Sequence, residues 1–182
     1  MNPVRKILVP VDFSEDAANG LRYAVSLGQK TQAELMVMHV TQKKEADSFL
    51  HLLAVMEGFP VLNRPAGIPI DRLLREKALD LYRFIEKVVR DPGRVRITRK
   101  VTLGNQEKKI LDIVHAENID LVVLAIRKKC FSPYSINRAR LLKMMSRFPC
   151  PVLLKFPLFE HSPMSGLLEV LGLRSVIRTV NH

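Results

Sequence analysis

Five short apolar runs punctuate the chain, and four of them show little alternation between apolar and polar positions. Residues 5–11 (RKILVPV), 35–40 (LMVMHV), 121–125 (LVVLA) and 152–154 (VLL) read as strands covered on both faces, as in a parallel sheet. Residues 95–101 (VRITRKV) alternate Val95, Ile97 and Val101 with Arg96, Thr98 and Lys100, which predicts a half-exposed edge strand guarded by charge. Between these runs the spacing is helical. Ser14 is placed to cap a helix whose apolar positions are Ala17, Leu21, Ala24, Val25 and Gly28. Asp71 is expected to cap a second, with Leu74, Ala78, Leu81, Tyr82, Ile85, Val88 and Val89 inward and Asp91-Pro92-Gly93 closing it. Gly104 and Asn105 lead into a third, with Ile110, Leu111, Val114 and Ala116 inward and Asn118 as its stop. A last amphipathic helix ends near Phe148, its apolar face being Leu141, Met144, Met145 and Phe148. Residues 41–69 are less regular: a polar stretch, a short helix over 49–56, and a loop punctuated by Gly and Pro.

Strand and helix alternate from the start to residue 155. Right-handed crossovers then require an α/β fold with an open five-stranded parallel sheet and helices on both faces. After Lys155 the alternation stops, so residues 1–155 are read as the domain and 156–182 as a C-terminal extension. A connector over 156–163, a short helix over 164–171 and an extra strand over 175–180 are expected in that extension. Its apolar residues are expected to pack on the domain or on a second subunit, the alternative being a loosely docked extension.

Charge changes this picture, through its distribution more than its sum of +11. After Leu124 there are 10 Lys+Arg and 2 Asp+Glu, and no acidic residue falls between Asp120 and Glu160. Arg127, Lys128, Lys129, Arg138, Arg140, Lys143, Arg147 and Lys155 all lie in that interval. Ligands of open α/β sheets bind outside the carboxyl ends of the strands, so the basic loop after Ala125 is the first candidate for a site. Its chemistry suits an anion or an acidic partner. Arg140, Lys143 and Arg147 form one helical stripe, which is either a solvated face or a surface for nucleic acid or an acidic protein. The absence of Trp and the presence of only 3 Tyr argue against nucleic acid.

Other chemistry is sparse. Cys130 and Cys150, with no secretory signal pattern, suggest a reduced, cytoplasmic setting, and no apolar run is long enough to insert in a membrane. Lys128 and Lys129 beside Cys130 could favour its thiolate, whereas Cys150 before Pro151 reads as a small hydrophobe. His39 on an apolar strand reads as a hydrogen-bonded structural residue. The other histidines have no metal-ligand spacing, so no metal is expected. No nucleophile elbow, Walker loop or dinucleotide fingerprint occurs, and the chain is not read as an enzyme.

KILVPVDFS at the first strand and turn, LMVMHV, VTLGNQEKKILDIVHAENIDLVVLA and CPVLL together resemble the universal stress protein family, UspA type, over roughly residues 3–155. The resemblance implies a sheet order of 3-2-1-4-5, a fold like that of the adenine nucleotide alpha-hydrolases, and a homodimer paired through the last core strand. It also implies stress-linked regulation with no settled reaction. Many members bind ATP through G-x2-G-x9-G-[S/T] after the fourth strand. The interval from Ala125 to Cys150 keeps the family's spacing without a gap, so the pattern can be laid on directly. Its glycines fall on Ala125, Lys128 and Arg138 and its Ser/Thr on Ala139, and all four positions depart from it.

Glycine lets backbone N–H groups approach phosphate oxygens at φ angles that a Cβ disfavours. Lys128 and Arg138 put long side chains where bare backbone is wanted, and Ala139 lacks the hydroxyl. ATP binding in the family manner is therefore not expected, and no cofactor is assigned. Arg127, Lys128 and Arg138 could instead grip an anion directly. The resemblance places the adenosine end of the site at Pro10, Val11, Asp12 and Val40. Asp12 is equally readable as a turn residue, and Val40 as core. Three readings stay open: a non-enzymatic regulatory homodimer, a nucleotide-binding switch using Asp12 and the basic loop, and a module for nucleic acid or an acidic protein.

Overall fold

A computed structural model describes residues 3–56, 70–126 and 143–155. Nine elements follow in the order β1 (Lys6–Val11), α1 (Glu15–Thr31), β2 (Glu34–Thr41), α2 (Lys43–Met56), α3 (Ile70–Val88), β3 (Ile97–Leu103), α4 (Gln106–Ala116), β4 (Leu121–Ala125) and β5 (Val152–Lys155). The five strands form one parallel sheet in the order β3-β2-β1-β4-β5. This is the architecture expected from the sequence pattern, in the strand order that the resemblance implied. The extension over 156–182 and its expected helix and strand lie outside the described residues.

The two faces of the sheet build two cores. Ile7, Val9, Leu35, Val37 and Val123 pack with α1 and α3, and Leu8, Met36, Met38, Val122 and Leu124 pack with α4. Near-continuous apolar strands are what two covered faces require. Ser14 caps α1 as predicted, its Oγ accepting from the Ala17 N–H at 3.2 Å. The buried face of α1 is rich in small residues (Ala17, Ala18, Gly20, Ala24, Gly28), so the helix lies close on the sheet. A Cβ at Gly20 would lie 2.9 Å from the Ala125 Cβ.

Local boundaries depart from the sequence reading in informative ways. α3 starts at Ile70, which puts Asp71 inside the first turn, where its charge still complements the helix dipole, and not at the cap. Its buried stripe is Leu73, Leu81, Ile85 and Val88, while Ala78 and Tyr82 are exposed. α3 sits at the sheet edge over β3, where only a narrow stripe is covered. Tyr82 instead carries the Arg99 guanidinium 4.9 Å from its ring centre, on the edge strand. On α4, Ala116 is exposed and Ile113 is the fourth buried residue beside Ile110, Leu111 and Val114. α2 begins at Lys43, six residues earlier than the apolar pattern suggests. β3 runs from Ile97 to Leu103, two residues later than predicted, and Val95 is buried before it.

The lower, amino-terminal end of the sheet is tied by charge. Asp120 Oδ2 accepts from the Arg5 and Lys6 N–H groups, both at 2.9 Å, fixing the start of β1 against β4. Glu117 accepts from Lys6 Nζ at 2.9 Å and Lys100 Nζ at 3.1 Å. Those two ammonium groups hold the Glu117 carboxyl below its usual range. The opposite end of the sheet is left for a ligand.

Candidate functional site

In a sheet ordered 3-2-1-4-5 the chain reverses direction between β1 and β4, and the crevice above that switch point is the default ligand site. A cleft of about 820 Å³ opens there. Its floor is Pro10 and Val11 from the end of β1 and Leu124, Ala125 and Ile126 from the end of β4. One wall is the start of α2 (Lys43, Lys44) and another the start of α4 (Gly104 through Glu107, and Ile110). Met144, from the segment before β5, also lines it.

The β1–α1 turn is tightly organised. Asp12 Oδ1 accepts from the Ser14 N–H at 3.1 Å and from the Ser14 hydroxyl at 2.5 Å. Ser14 thus donates to Asp12 and accepts from Ala17, which joins strand end and helix start in one chain of hydrogen bonds. Phe13 between them has φ of 63°, a left-handed conformation uncommon outside glycine and asparagine. Packing holds it there: its ring stacks on His39 at 4.3 Å and meets the Phe84 ring edge-on at 5.6 Å. His39 Nδ1 lies 3.0 Å from the Val11 carbonyl oxygen, which can only accept, so Nδ1 carries the proton. The histidine therefore has the structural role its apolar strand suggested.

Of the predicted site residues, Pro10, Val11, Asp12 and Ala125 line the cleft together. Val40 is 7% exposed and packs with Met38, Leu124 and Ile126 in the core beneath α4. Arg127, Lys128, Arg138, Ala139 and Cys130 lie outside the described residues. Ala125 occupies the first glycine position of the ATP pattern, yet its methyl faces Gly20 on α1. That replacement is accommodated against Gly20 on α1. Burial, and secondarily the charge of Asp120, push the Cys150 thiol up, which disfavours its thiolate.

Sequence reasoning missed Lys43, Lys44, Gly104, Asn105 and Glu107. The signal was available, since these residues follow β2 and β3 at the same carboxyl edge as the loop after β4. Gly104 takes φ of 143°, and Asn105 caps α4 by accepting from the Lys108 N–H at 3.0 Å. Among the described residues no group of three or more His, Cys, Asp or Glu could hold a metal, and no helix is long and apolar enough to cross a membrane.

Sheet order and cleft together define an open parallel α/β domain with a ligand crevice at its switch point. The universal stress protein family model matches residues 3–154, and the chain belongs to that family. The chain is similar to universal stress protein MJ0577 of Methanocaldococcus jannaschii, 24% identical over 128 residues, covering 69% of this chain and 78% of that protein. A solved structure of MJ0577 superposes with a TM-score of 0.61 at 17% identity, over 87% of this chain and 100% of that one. UspA from Lactobacillus plantarum gives 0.57 at 19% identity, over 85% and 99%. A family member from Arabidopsis thaliana, solved with AMP bound, gives 0.53 at 14% identity, over 87% and 95%.

Proposed function

We propose that this chain is a non-enzymatic, cytoplasmic regulatory protein that works as a homodimer joined through β5 and acts by contact with an anionic partner, such as an acidic protein. In this reading the cleft does not hold ATP in the family manner. The observation that carries it is the loop from Ala125 to Cys150, which keeps the length of the family's ATP loop while losing all four pattern positions. Since the Ala125 methyl is turned toward α1, the weight falls on Lys128, Arg138 and Ala139. Two replace glycine by long cationic side chains, and one removes a phosphate-binding hydroxyl.

Thermal melting tests this directly. A ligand that binds only the native state stabilises by RT ln(1 + [L]/Kd), so millimolar Mg-ATP is expected to leave Tm within about one degree of its free value. A rise of several degrees would overturn the reading.

A second reading, a nucleotide switch, is favoured by the cleft itself. Its volume of about 820 Å³ is in the range that small-molecule sites occupy, and Pro10, Val11 and Asp12 border it where the family holds adenosine. The relative with AMP bound supplies the ligand class. If this reading holds, AMP raises Tm in the native chain. Restoring the pattern with Arg138→Gly and Ala139→Ser adds ATP to the ligands that do so.

A further inference from the structure

The rim of the cleft carries an ion pair between residues 40 positions apart. Glu107, in the first turn of α4, lines the cleft, and its Oε1 accepts from Arg147 Nη1 at 3.2 Å. The Glu107 side chain is 26% exposed, so its charge sits against the protein more than in open water. Met144, three residues before Arg147, lines the same cleft, and Met144 and Phe148 pack against the core that contains Ile110 and Val114 of α4. One ion pair to α4 and two apolar side chains on this core therefore fasten the segment beside the cleft. Asp12, just after β1, lines the cleft as well. Among the described residues two carboxylates thus line it, while Lys43 and Lys44, which also line it, are exposed.

The geometry points to Glu107 as a residue that weakens the cleft's hold on phosphate-bearing molecules, with Arg147 holding its carboxylate in place. This rests on the reading that the cleft does not take ATP in the family manner, and it supplies a reason independent of the loop. A carboxylate in the first turn already takes the favourable interaction that the α4 amino terminus would offer a phosphate. An entering anion meets that charge at short range, in a crevice where screening by water is reduced. To gain Arg147 for itself, the anion must first break the pair with Glu107.

The test is calorimetric titration of inorganic tripolyphosphate into the full chain at low salt, comparing the native protein with Glu107→Gln. The variant is expected to bind about fivefold tighter, with the gain shrinking in about 1 M salt, where charges are screened within about 3 Å. Glu76→Gln, which removes a carboxylate paired with Arg72 on α3, is the control for net charge and should show no gain. Equal binding by native protein and Glu107→Gln would overturn the inference, as would an equal gain in the control. Glu107→Ala serves the same comparison if the glutamine variant does not fold. Tight ATP binding by the native chain would overturn the proposed function. The comparison at Glu107 would still be read on its own.

Discussion

Gly20→Val is expected to lower the melting temperature by about 10 °C, corresponding to about 3 kcal/mol of overpacking in a domain of this size. The added Cβ would sit 2.9 Å from the Ala125 Cβ and 3.6 Å from its Cα. Neither neighbour is the tip of a flexible side chain, so α1 would have to move off β4. Valine regains a few tenths of a kcal/mol of helix propensity over glycine, too little to change the sign. Ala125→Gly in the same chain removes the obstructing methyl and is expected to restore at least half of the loss. Equal melting temperatures for the single and double variants would show that Ala125 is not the obstacle. The pair matters for function because it joins the first helix to the strand end that floors the cleft.

Leu154→Pro is expected to separate the proposed dimer while leaving the sheet intact. The carbonyls of Pro151 and Lys155 accept from the N–H groups of Val122 in β4 and of Ile126 just after it, at 3.1 and 2.9 Å. In a parallel strand successive residues turn their backbone groups to opposite sides, so the N–H groups of Val152 and Leu154 face the outer edge. Among the described residues, β5 is the last strand on that side. Proline at 154 deletes an outward donor and is tolerated on edge strands. Because a twofold interface uses the donor twice, the dimer dissociation constant should rise about a hundredfold. Leu154→Ala keeps the N–H and should remain dimeric at micromolar concentration by light scattering. If the proline variant dimerises as well as the alanine variant, the contact does not run through this edge.

The fold was legible because the strands are compositionally simple. RKILVPV, LMVMHV and LVVLA are buried on both faces, so they carry an unbroken apolar signal, and Ser14 and Asn105 announce the helices that follow β1 and β3. The misplacements share a cause: tertiary context decided them. Asp71 has cap chemistry, but Ile70 already lies in the helix. Tyr82 fits the apolar face of α3, but its ring is committed to Arg99 at the sheet edge. The site was legible only along β1 and β4. Glu107 and Arg147 are unremarkable charged positions in sequence, and only the pairing of α4 with the segment before β5 brings them together. Lys43 was hidden because α2 begins with a polar turn, outside the apolar periodicity that marks a helix.

Native mass spectrometry of the freshly purified chain tests the central claim most directly, since it reads subunit number and retained ligand in one spectrum. The account predicts a species of twice 20.7 kDa with no added mass of a nucleotide. A monomer at micromolar concentration, or a dimer that carries ATP through purification, would contradict it.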